Sequence, residues 1–176
     1  MLTELEGAIL TEVGYRDRRT AFKVRQAFKL SPSFEWQGSA GAVYPAINRL
    51  VDRGLLGAET LPDARGTKRL SLTVAGKAEL RKWSLDVAGS LSIGADPFRL
   101  RAGLWQALGP DDQIRHFTSM IAAAEDAILS LEEYCQKQDQ YEMTQVDLAL
   151  ELQRLRVRWL TAKLEAVRRI IHDALP

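Results

Sequence analysis

Residues 39–56 read Ser39-Ala40-Gly41-Ala42-Val43-Tyr44-Pro45-Ala46-Ile47-Asn48-Arg49-Leu50-Val51-Asp52-Arg53-Gly54-Leu55-Leu56, and their pattern decides the fold. Val43, Ile47, Leu50 and Val51 recur at the spacing of a buried helical stripe. At about 100° per residue, the opposite side presents Gly41, Pro45, Asn48, Arg49 and Asp52. The spacing predicts a helix with Ser39 as N-cap, running to about Arg53 and ended by Gly54. Pro45 lacks an N–H and its ring crowds the carbonyl of Gly41, so a bend is expected there.

Downstream, 55–60 and 67–72 are short strand-like runs around the turn Pro62-Asp63-Ala64-Arg65-Gly66, which reads as a hairpin. Thr73 then caps a helix from near Ala75 to about Ser84. Upstream, Leu5, Ala8, Ile9 and Val13 mark a helix over 2–13, with Gly14 as terminator. Thr20 caps a short helix over about 21–28 that carries Phe22, Val24 and Ala27. Residues 29–38 read as a connector from which Phe34 and Trp36 turn onto the core. Three helices, a hairpin and a helix follow the order of a winged helix-turn-helix, whose second helix of the pair enters the major groove.

The remainder is helical. Residues 85–96 read as a connector, and Asp96-Pro97 opens a helix to about Leu108 with Phe98, Ala102 and Trp105 on one side. Gly109-Pro110 stops it, and Asp111 and Asp112 suit the first turn of the next helix. Ile114, Phe117, Ile121, Ala124, Ile128 and Leu131 form a heptad seam on one long helix. Leu148, Leu152, Leu155, Trp159, Ala162 and Ala166 form another on the last helix, which carries a second stripe of Val157, Leu160, Leu164, Val167 and Ile171 about 140° away. A helix apolar on two sides needs cover on both. A second subunit related by a two-fold axis supplies it most simply, and folding back onto the first domain is the monomeric alternative.

The expected architecture is therefore mainly α with a small β-hairpin. A winged helix-turn-helix spans 1–84, a connector 85–96, and an antiparallel long-helix dimerisation domain 97–176. The dimer contact is expected from Ile114, Phe117, Ile121, Ile128, Leu148, Leu152, Leu155, Trp159, Leu160, Leu164, Val167 and Ile171.

Composition narrows the function. The 176 residues are 46% hydrophobic and 27% charged, unlike a disordered tail. No apolar run approaches the roughly 20 residues that span a bilayer, and the acidic, amphipathic N-terminus is unlike a signal peptide. Lone Cys135 excludes a disulfide framework and a cysteine zinc site and fits a reducing cytoplasm. Charge is asymmetric: residues 1–83 hold 14 Lys and Arg against 9 Asp and Glu, a net of +5, and 84–176 hold 10 against 14, a net of −4. A basic half suits a polyanionic partner. No metal, cofactor or catalytic pair is expected: there is no nucleophile beside a base, no glycine-rich phosphate loop and no metal-ligand spacing.

The quoted stretch resembles the PadR family of bacterial transcriptional regulators, whose signature here is S-x-G-x-x-Y-P-x-[LI]-x-R-L followed by G-L-[IL]. Arg65-Gly66-Thr67-Lys68-Arg69-Leu70-Ser71-Leu72-Thr73-Val74-Ala75-Gly76 is similar to that family's wing and following helix, and Leu2 to Leu10 to its opening helix. The chain from Asp96-Pro97-Phe98 onward resembles the virulence-activator-type C-terminal domain of its long-tailed members, which dimerises. Leu70 stands where the family usually has an aromatic, and Ala40 where it often has proline. The resemblance implies a homodimeric DNA-binding regulator, more commonly a repressor, on a pseudo-palindromic site.

Residues for such a role can be assigned. The Ser39 hydroxyl and nearby backbone N–H groups can hold a phosphate at a helix start, and Gly41 and Ala42 permit close approach. The Tyr44 hydroxyl reaches either a phosphate or, with its ring on the wing, water. Pro45 lies on the same face, where Asn48 suits adenine and Arg49 suits guanine or phosphate. An ion pair of Arg49 with Asp52 or Glu35 is the competing reading. Arg65, Thr67, Lys68 and Arg69 suit backbone contact at the wing, and Lys23 and Arg25 are either phosphate contacts or solvated surface.

Trp36, Trp83, Trp105 and Trp159 are either core and interface residues or the lining for a small aromatic effector of the kind some PadR-like proteins sense. His116 and His172 are expected on helix surface, and Cys135 is expected to be passive. The alternative function is a winged-helix protein-interaction module without DNA binding.

Overall fold

Thr3 starts the first helix through a reciprocal pair of bonds. Its hydroxyl accepts from the Glu6 N–H at 3.2 Å, and the Glu6 carboxylate accepts from the Thr3 N–H at 3.2 Å, satisfying two donors that a helix start leaves open. The computed structural model describes residues 1–62, 66–92 and 96–173. The chain divides into two compact units, Met1–Ser92 and Ile93–Pro176.

In the first unit α1 spans Glu4–Tyr15, α2 Ala21–Leu30, α3 Phe34–Ser39 and α4 Val43–Asp52, with a 3₁₀ turn at Ala40–Ala42. The hairpin strands β1 (Leu56–Thr60) and β2 (Lys68–Leu72) follow, then α5 (Val74–Ser84) and the short α6 (Val87–Ser90). Ile9, Leu10, Val24, Val43, Leu50, Leu56 and Leu70 meet in its core. The strands pair antiparallel, Leu56 with Leu72 and Thr60 with Lys68. The Leu70 N–H donates to the Arg19 carbonyl at 2.8 Å, so the chain entering α2 lies against the other edge of β2.

Three local expectations are corrected. Gly14 does not end α1 but lies within it, where an added Cβ would run into the Leu72 side chain, so it serves packing rather than termination. The connector 29–38 contains α3, capped by the Ser33 hydroxyl accepting from the Trp36 N–H at 3.4 Å. The Trp36 ring stands edge-on to Phe28, 5.1 Å between centroids, whereas the Phe34 side chain lies outside the described residues. Finally, α4 begins at Val43 and not after Ser39, which is the last residue of α3.

The second unit comprises α7 (Pro97–Trp105), α8 (Pro110–Cys135) and α9 (Gln140–Asp173). The last two run antiparallel, as their cross-links record: the Tyr134 hydroxyl donates to Glu142 at 3.2 Å, and Arg154 pairs with Glu132 at 3.1 Å. Trp105, Phe117, Leu160 and Leu164 form the core, with Phe98, Ile114, Ile121 and Val167 packed against it. Thus Phe117, Leu160 and Leu164, expected at a dimer contact, are buried within the chain and have no surface to offer. His116 is also corrected: its ring stands 5.2 Å from that of Trp105, and its Nε2 is buried with no hydrogen-bond partner among the described residues. Being next to Phe117, it is carried toward α7 by the same turn of helix. Among the described residues no helix is long and apolar enough to cross a membrane.

Candidate nucleic-acid interface

The amphipathy of α4 sets the site. Val43, Ala46, Ile47 and Leu50 are buried, while Tyr44, Pro45, Asn48 and Asp52 are exposed on the other side. At the far end Gly54 adopts φ 69°, its N–H donating to Val51 at 2.8 Å and that of Leu55 to Leu50 at 2.9 Å. This double closure satisfies the last carbonyls and seats Leu55 beside Leu50 in the core. Thr73 locks the following joint: its hydroxyl lies 2.8 Å from the Gly54 carbonyl and accepts from the Gly76 N–H at 2.9 Å.

At the start of α4 the geometry differs from expectation. The 3₁₀ turn leads straight into the helix, and no side chain caps either, so the Ser39 hydroxyl is not the N-cap of α4. Pro45 is the third residue of α4. It falls in the first turn, where the missing N–H has no intrahelical acceptor to lose, so the bend expected of a mid-helix proline has no cause. Gly41 and Ala42 are exposed, and a Cβ on Gly41 would meet nothing within 4 Å, leaving the helix entrance open on its outer side.

Arg49 pairs with neither Asp52 nor Glu35. Its Nε lies 3.5 Å from Oε1 of Glu6, and Arg53 Nη1 lies 2.9 Å from Oε2 of the same carboxylate. Burial pushes the Glu6 carboxyl up, but the Thr3 N–H and the Arg53 and Arg49 guanidinia together outweigh it and leave the group below its ordinary value. Arg49 sits on the flank of α4 that faces α1, not at the centre of the outward face. Glu6 and Arg53 were absent from the sequence-based site because their contact joins residues 47 apart. The Thr3-x-x-Glu6 spacing signals the cap, but nothing local signals the arginines.

On the wing, Lys68 and Arg69 are exposed, and the register sets Arg69 opposite Glu59 and Lys68 opposite Thr60. Arg69 therefore shares its face with a carboxylate-bearing neighbour, which leaves Lys68 the less countered cation. The Thr67 carbonyl accepts from the Leu61 N–H at 2.8 Å and closes the described base of the tip. Arg65 lies outside the described residues. Lys23 and Arg25 are exposed on α2, whose first turn is capped by Thr20. Glu12 adds a cluster missed from sequence: it is buried, pairs with Arg16 at 2.7 Å and Arg18 at 2.6 Å, and so draws two arginines into the scaffold.

In the second unit α9 has two apolar sides of unlike fate. Leu160 and Leu164 face α8, whereas Leu148 (63% exposed), Leu152 (46%), Leu155 (52%) and Trp159 (37%) stay open. Phe98 meets Trp105 and Trp159 edge-on at 5.1 and 5.6 Å, with the Arg156 guanidinium 5.2 Å over the Phe98 ring. Trp83 belongs to the first unit, its indole packed over Gly7 and its N–H donating to Glu4 at 3.3 Å. Among the described residues no group of three or more His, Cys, Asp or Glu is placed to hold a metal ion.

Comparison with known proteins relates this arrangement to solved structures. Bacillus subtilis PadR in complex with operator DNA matches with a TM-score of 0.73 at 20% identity, over 94% of this chain and 99% of that one. The fold is that of the PadR regulators. The PadR structure with p-coumaric acid matches at TM-score 0.73 and 19% identity, over 96% of this chain and 99% of that one. A PadR-like transcriptional regulator from Bacillus cereus matches at 0.65 and 15%, over 94% and 99%. No family model and no curated protein sequence matches the chain. The PadR fold thus spans both units.

Proposed function

We propose that this chain is a sequence-specific DNA-binding transcriptional regulator, a cytoplasmic repressor that binds a pseudo-palindromic operator as a homodimer. One observation carries the reading: α4 exposes a polar face beside a basic wing, on the fold of a regulator solved with operator DNA. In this reading Tyr44, Pro45 and Asn48 face the groove, Asn48 reading adenine. Gly41 and Ala42 allow the approach, Ser39 and Lys23 border it, and Arg65, Thr67, Lys68 and Arg69 follow the backbone.

The open seam of α9 supports the dimer. Four large apolar side chains at heptad spacing are a poor surface to leave in water and a good one to pair with a second copy. Ile128, Val167 and Ile171 are half-buried and would border such a contact. The tail is read as the virulence-activator type, and the effector as a small aromatic molecule by analogy with the p-coumaric acid complex of the relative.

The test is a fluorescence-anisotropy titration onto DNA from upstream of the gene, with scrambled DNA as control and several salt concentrations. Three wing cations from each of two copies give about six phosphate contacts. Affinity should then fall roughly a thousandfold between about 50 and 200 mM salt. Absence of binding at low salt would refute the regulator and favour the protein-interaction module. Leu155→Lys should convert the dimer to monomer in light scattering, and a dimer that persists would move the contact off this seam.

A further inference from the structure

Glu6 does more than cap α1. It is 4% exposed, yet its carboxylate is shared among the Thr3 N–H, Arg53 and Arg49. Capping needs one oxygen and one N–H. Drawing in two guanidinium groups from the end of α4 and its cap is a separate function. Arg49 lies in the last turn of α4 and Arg53 caps its end four residues on, and their side chains remain 55% and 39% exposed, so each has the reach to leave α1 for a polyanion.

We propose that Glu6 is a specificity-determining positioning residue that holds Arg49 and Arg53 against α1 and withholds them from the phosphates of non-cognate DNA. This inference rests on the DNA-binding reading above. Cations that swing free neutralise phosphate on any sequence, so they raise non-specific affinity without adding discrimination. The set of one carboxylate and two guanidinia carries a net +1, against +2 with the carboxylate neutralised. Because the carboxylate is buried, its hold is screened by salt less than a surface pair would be. The remaining discrimination is left to the outward face at Tyr44 and Asn48, which Glu6 does not touch.

The experiment compares the full chain with Glu6→Gln on a scrambled duplex across a salt series. Glutamine keeps the shape and an acceptor for the Thr3 N–H but removes the charge. The variant should bind scrambled DNA more tightly at low salt, with a slope steeper by about 0.9 for one freed cation and about 1.8 for two. Between about 50 and 200 mM salt that is an extra weakening of roughly 3.5- to 12-fold. Glu6→Asp should return the slope toward that of the native chain.

An unchanged slope with a lowered melting temperature would make Glu6 a tie between helices only and overturn the proposal. Should Glu6→Gln fail to fold, nitrogen NMR of the native protein decides. The Arg49 and Arg53 Nε–H resonances should stay in place on adding scrambled duplex while that of Arg69 moves; if all three move together, the proposal falls. Native protein that binds no DNA at low salt overturns the regulator itself and this inference with it, a result distinct from binding with an unaltered slope.

Discussion

Replacing Gly76 by alanine should loosen the joint between α5 and the wing. Gly76 is buried in the first turn of α5, and a Cβ there would lie 3.0 Å from the Leu55 carbonyl carbon and far closer to its oxygen. The obstacle is backbone, so no rotamer change relieves it, and α5 or the start of β1 must shift by an appreciable part of an ångström. That shift strains the bonds from the Thr73 N–H and hydroxyl to the Leu55 carbonyl, at 3.3 and 3.2 Å. Overpacking costs about 1–3 kcal/mol, and each weakened hydrogen bond up to about 1 kcal/mol. Alanine's better helix propensity returns about 0.8–1 kcal/mol.

The net loss is roughly 2 kcal/mol, which lowers the melting temperature of a unit this size by roughly 8–16 °C. Differential scanning calorimetry reads it directly. Gly38→Ala, in α3 of the same unit, is the control, because a Cβ there meets nothing within 4 Å. That variant should match the native chain or gain up to about 1 kcal/mol. If Gly76→Ala melts at or above the native temperature, the close approach of α5 to Leu55 is not what holds the joint.

Two further outcomes concern stability. Leu160→Ala removes a side chain with no exposure from the core of the second unit and should cost about 2–5 kcal/mol in urea unfolding followed by tryptophan fluorescence; a loss under about 1 kcal/mol would show that Trp105 and Phe117 close the gap. Glu6 links stability to pH: its folded-state value is depressed, so its contribution is present above the ordinary carboxylate range and lost as pH falls through the lowered value. Melting temperatures of the native chain should therefore fall more on acidification than those of Glu6→Gln, and parallel curves would contradict the ion-pair account.

The legible parts of the fold were those with local causes. Val43, Ile47 and Leu50 announce the inner side of α4 through their spacing, and Gly54, Thr20 and Thr73 announce its end and two helix starts through backbone chemistry that operates within a few residues. α3 was hidden because Pro32, Gly38 and two serines read as turn formers, and six residues are too few to show a period. The two stripes of α9 were both visible, but which one faces α8 depends on the partner helix and the aromatics of α7. At the interface the outward side of α4 was legible from the same periodicity, whereas the Glu6 contact with Arg49 and Arg53 was not, since a long-range ion pair leaves no mark on either segment.

The double closure at Gly54 also bears on how such a fold changes over time. Leu55 is tied to Leu50 behind it and to Thr73 ahead of it, so the scaffold of helix, wing and following helix is fixed by residues that are buried or bonded to backbone. Positions 44 and 48 take no part in that tie. On the proposed DNA-binding reading, substitutions there would alter the preferred sequence without taxing folding, so descendants of one ancestor could diverge in the genes they answer to while inheriting an unaltered chassis.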